Sequence, residues 1–131
     1  MRFAILGLPL ALVACGRAEA LQPDSHNPAH CIAAFNYGAY WFKVGNRPDK
    51  ATAMLVRGAY EMNKVKVAGR APGEALAEAK ALTQAYVRDE KAMDTLFQAC
   101  EAAQNSDPRF RAEYPGLLAR MKELRTRMPA Y

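Results

Sequence analysis

Apolar residues recur along this chain at helical spacing, and each run opens or closes on a recognisable signal. The first run begins at Asn27-Pro28, an N-cap followed by proline at the first helical position. Cys31, Phe35, Gly38 and Phe42 then fall on one face, with Ile32, Ala39 and Trp41 beside them, and Gly45 supplies the stop. A second start follows at Asn46-Arg47-Pro48-Asp49. Its predicted stripe is Ala51, Met54, Leu55, Gly58, Met62 and Val65, ended by Gly69, and Ala71-Pro72-Gly73 makes the next turn.

The third periodic stretch runs from about Glu74 to Gln104, with Leu76, Ala79, Leu82, Tyr86, Met93, Leu96, Phe97 and Cys100 on one side. The charged group Arg88-Asp89-Glu90-Lys91 interrupts it, either as the outer face of one helix or as a break capped by Asp89. Ser106-Asp107-Pro108 starts the last segment. A short piece over 108–113 leads to Tyr114-Pro115-Gly116, where the proline should kink or restart the helix. Leu117, Leu118, Met121, Leu124 and Met128 form the final stripe. No stretch alternates apolar and polar residues as a half-buried strand does. The predicted fold is all-α: an antiparallel bundle of four or five short amphipathic helices in a single domain over 28–131.

Composition agrees with helix. The chain has 26 alanines against 6 valines and 2 isoleucines, and alanine leads the helix propensities while β-branched residues favour strands.

The N-terminus changes the picture more. Met1-Arg2 precedes the apolar run Phe3–Val13. This is the layout of a secretory leader, and it falls short of the roughly 20 residues a membrane span needs. Leu12-Val13-Ala14-Cys15 resembles a bacterial lipobox, which implies cleavage before Cys15 and lipidation of its sulfur. Ala18-Glu19-Ala20 offers an ordinary cleavage site instead, after Ala20. Either route makes residues 1–20 an export signal and 21–27 a polar arm.

Export also bears on the cysteines. With Cys15 removed or acylated, Cys31 and Cys100 remain as a pair in an oxidising compartment, and a disulfide between them is expected. An uninterrupted third helix would place them at opposite ends of the bundle. A break near Asp89 brings them together, so the bridge argues for five helices.

Little in the chain suggests catalysis. His26 and His30, ahead of Cys31, have metal-ligand types, but Pro28 starts the helix between them. They read as solvated side chains, with no metal or cofactor implied. Ser25 and Ser106 suit loop and cap roles. Glu74, Glu78, Asp89, Glu90, Asp94 and Glu101 read as surface carboxylates. Absence of Cys-x-x-Cys-His excludes a c-type haem site. Tyr37, Tyr40, Trp41 and Phe42 cannot all face one core on a helix of about 3.6 residues per turn; Phe42 and Trp41 should point inward, with Tyr37 or Tyr40 at the edge.

The net charge is +5, and most of it lies from Arg109 onward. Arg120, Lys122, Arg125 and Arg127 form a candidate basic surface for anionic lipid or an acidic envelope partner. No nucleic acid partner is expected, and membrane contact is expected only through a Cys15 anchor. The expectation is an exported cell-envelope protein, periplasmic, secreted or lipid-anchored, with a non-enzymatic binding or accessory role. The alternative is a small envelope hydrolase using a groove carboxylate.

Overall fold

The structure, a computed structural model, describes residues 22–128. Cys15 and both candidate cleavage points lie outside them. Five helices occur: α1 Pro28–Val44, α2 Pro48–Val67, α3 Pro72–Ala85, α4 Glu90–Asn105 and α5 Pro108–Arg127. No strand occurs among the described residues, and no described helix is long and apolar enough to cross a membrane.

Local chemistry sets the boundaries. The Asn27 side chain accepts from the Ala29 N–H, Asp89 from Ala92 and Asp107 from Arg109, each satisfying an amide that a helix N-terminus leaves free. Proline opens α1, α2, α3 and α5. The α1–α2 turn departs from expectation. Gly45 has φ −78°, and the left-handed residue is Asn46 at φ 56°, whose short polar side chain tolerates that region. Arg47 therefore precedes α2 without a side-chain cap. Gly69, at φ 78°, makes the next turn left-handed as a glycine can.

The break near Asp89 is present, and the disulfide with it: Cys31 and Cys100 are joined with their Cα atoms 5.6 Å apart. The α1–α4 contacts run in reverse order along the two helices. Cys31 meets Cys100, the Phe35 ring lies edge-on to Phe97, and Tyr37 reaches Asp94. The pair is antiparallel.

Helix α1 sits at the centre, against α2, α3 and α4. Residues 29–35 are buried without interruption, because neighbours cover this apolar stretch on every side. Ile32, Phe35, Met54, Val65, Leu82 and Leu96 form the core around it. Two stripe positions differ from the pattern. Leu55 and Leu76 are 49% and 50% exposed, and their neighbours Val56 and Ala75 are buried instead. Helix α5 runs through Pro115 without a restart and buries only Phe110. Its stripe is half-buried at Leu118 and Met121 and exposed at Leu117, Leu124 and Met128.

Candidate functional site

Because α5 buries so little, its apolar face shapes an open groove against α2. Polar clasps hold the helix to α2 at both ends. At its start, Asp107 accepts from the Tyr60 hydroxyl at 2.8 Å, and Phe110 packs edge-on to Tyr60. Arg57 lies over the rings of Phe110 and Tyr114, with its guanidinium carbon 5.0 and 5.2 Å from their centroids. It also donates to Gln104 and Asn105 of α4, while the buried Gln104 amide donates back to the Arg57 carbonyl. At the far end, Arg125 donates to Thr52 and to the Pro48 carbonyl.

Between the clasps lies a groove of about 620 Å³, within the range of roughly 300–1,000 Å³ typical of small-molecule sites. Val56, Met62, Leu117, Met121 and Leu124 supply its apolar lining, and Lys66 and Arg120 stand along it. Neither cation is ion-paired with a described residue, whereas Glu113, also in the lining, is held by Arg109 at 3.0 Å. The groove thus joins apolar surface to uncompensated positive charge.

Of the four basic residues singled out in the sequence, only Arg120 lines this groove. Lys122 is exposed, Arg125 forms the clasp to α2, and Arg127 pairs with Glu123 at 2.6 Å. Lys66, Met62 and Asn63 come from α2 and were not apparent as partners of Arg120. Only the antiparallel docking of α5 brings them to it.

His30 corrects the expectation of a solvated histidine pair. It is 3% exposed. Nδ1 accepts from the Asp24 N–H at 3.0 Å, so the proton sits on Nε2, which is 3.2 Å from Glu78 Oε1. Glu78 also accepts from Asn27 and Arg70. Burial pushes its carboxyl up, but these hydrogen bonds and the Arg70 charge outweigh burial and hold it below the usual value. A general acid requires the opposite shift. His26 is exposed, and Pro23, Ser25 and Asn27 are half-buried, so the segment before α1 is bonded to the bundle rather than a free arm.

Trp41 is also corrected. It is 46% exposed and Tyr40 61%, while Tyr37 and Phe42 are half-buried. The tryptophan lies between two depressions, one shared with Phe97 and one with Tyr86 and Val87.

Compared with protein-family models, curated proteins and solved structures, the chain matches none.

Proposed function

We propose that this chain is an exported bacterial envelope protein with a non-enzymatic binding role, and that it holds a single-chain anionic amphiphile between α2 and α5. The observation that carries the reading is the combination of an apolar groove with Lys66 and Arg120, neither paired to a described acid. An acyl chain would cover the exposed Leu117 and Leu124 and the half-buried Met62 and Met121, which the fold otherwise leaves in contact with water. Its carboxylate or phosphate would meet the two cations. The leader-like N-terminus supports export, and a disulfide that persists best in oxidising compartments supports the same destination.

Calorimetric titration of the full chain tests the reading, with dodecanoate and neutral dodecyl maltoside both below their micellar concentrations. Dodecanoate should bind about tenfold more tightly, the scale of one or two modest charge contacts. Combining Lys66→Glu with Arg120→Glu should abolish that preference while far-UV circular dichroism stays unchanged. Equal affinity for the two amphiphiles, or no binding of dodecanoate, would remove the proposal.

A further inference from the structure

We infer that the cleft between α1 and α4 binds a small, soluble quaternary ammonium compound. The cleft encloses about 320 Å³ and is separate from the groove between α2 and α5, so the inference stands independently of the function proposed above. Its floor depends on a glycine. A Cβ at Gly38 would lie 2.6 Å from the Phe97 ring, so only glycine lets that ring lie so close to the α1 backbone. Phe97 also packs against Phe35, with the rings near-perpendicular and their centroids 5.9 Å apart. Tyr37 and Trp41 form the wall, packed edge-on with their centroids 6.2 Å apart. Phe42 stands at the rim, where Arg47 and Lys50 already lie over its ring. Tyr37, Trp41 and Phe97 supply the rest of the aromatic lining.

Glu90 and Asp94 complete the cleft from one face of α4. Neither is ion-paired with a described residue. The Tyr37 hydroxyl donates to Asp94 at 3.3 Å. Burial, and then the Asp94 carboxylate, push that phenol above its ordinary value, so it keeps its proton. The cleft therefore offers π faces and two carboxylates, and its Tyr37 hydroxyl is already committed to Asp94, in a chain whose net charge is positive.

A sugar needs donors as well as acceptors, and a primary amine is strongly hydrated. A quaternary ammonium carries positive charge on an apolar body with no N–H to satisfy, which matches both wall and rim. The same group on a phospholipid brings a phosphate beside it, which Glu90 and Asp94 would repel and which only Arg47 and Lys50, already engaged over the Phe42 ring, would attract. That favours a free compound over a membrane headgroup.

Trp41 is the single tryptophan, so its fluorescence reports on this cleft and on the depression beside Tyr86 and Val87. Substitutions at Glu90 and Asp94, which line only the former, separate the two. The full chain would be titrated with choline and with 3,3-dimethyl-1-butanol, its uncharged isostere. Choline should give a saturable change, with the isostere about tenfold weaker. Combining Glu90→Gln with Asp94→Asn should erase most of that difference and leave the circular dichroism unchanged. Equal affinity for both compounds, no saturable response to choline, or a preference that survives the double substitution would each overturn the inference. Tighter binding to phosphatidylcholine vesicles than to choline would overturn the assignment to a free ligand.

Discussion

A histidine placed four residues after another and just before a cysteine has the residue types of a metal site. In the folded chain both ring nitrogens of His30 are engaged, by the Asp24 amide and by Glu78. His30 ties the segment before α1 to α3, a tertiary role that no local spacing announces. Tyr60 is a second such residue. It is buried, and burial together with its bond to Asp107 pushes the phenol up to about 12, against about 10 in an unfolded chain. The neutral form is the one that folding favours. Its stabilising contribution is therefore complete below about pH 10 and lost as pH rises from there to about 12. Urea unfolding across that range should show a loss of stability that Tyr60→Phe reduces. Identical pH profiles for the two proteins would contradict this account.

At the scale of helices, caps and prolines predicted most boundaries because they act locally. Asp89 is the instructive case. Its carboxylate satisfies the Ala92 amide at 3.0 Å and starts α4 where the chain reverses. Asp89→Ala should cost about 1 kcal/mol, the usual loss of such a cap, read as a lower urea midpoint with an unchanged slope. A null effect would mean that the disulfide alone holds the break. Which residues a helix buries was less legible. Leu55 and Leu76 fit the predicted stripes, yet the buried positions are one residue away at Val56 and Ala75. Each helix meets more than one neighbour, so its buried arc is set by where they sit. Pro115 read locally as a kink or restart, but α5 continues through it.

For the whole molecule, the Cys31–Cys100 bridge spans 69 positions and joins the first turn of α1 to the end of α4. In the chain-entropy picture a loop of this length contributes about 4 kcal/mol, so reduction should lower the unfolding free energy by roughly that amount. Intact mass of protein recovered from a bacterial host reads the bridge directly, since two alkyl groups should add only after reduction. The same spectrum tests the proposed export. A lipid-shifted mass beginning at Cys15 or an unmodified one beginning at Leu21 would support it, and a chain retaining Met1 would contradict it.

The helical class, most helix limits and, through the cysteine count, the bridge and the break it requires were legible in the chain alone. These follow from interactions within a few residues or from the arithmetic of two thiols. Where the surfaces lie depends on how the helices pack. Lys66 and Arg120 share a groove because α5 docks antiparallel on α2, and Trp41 faces outward beside Glu90 and Asp94 because α4 returns along α1. Such juxtapositions join residues about fifty positions apart. Helical periodicity gives the direction of a side chain around its own axis, and packing alone chooses what stands opposite.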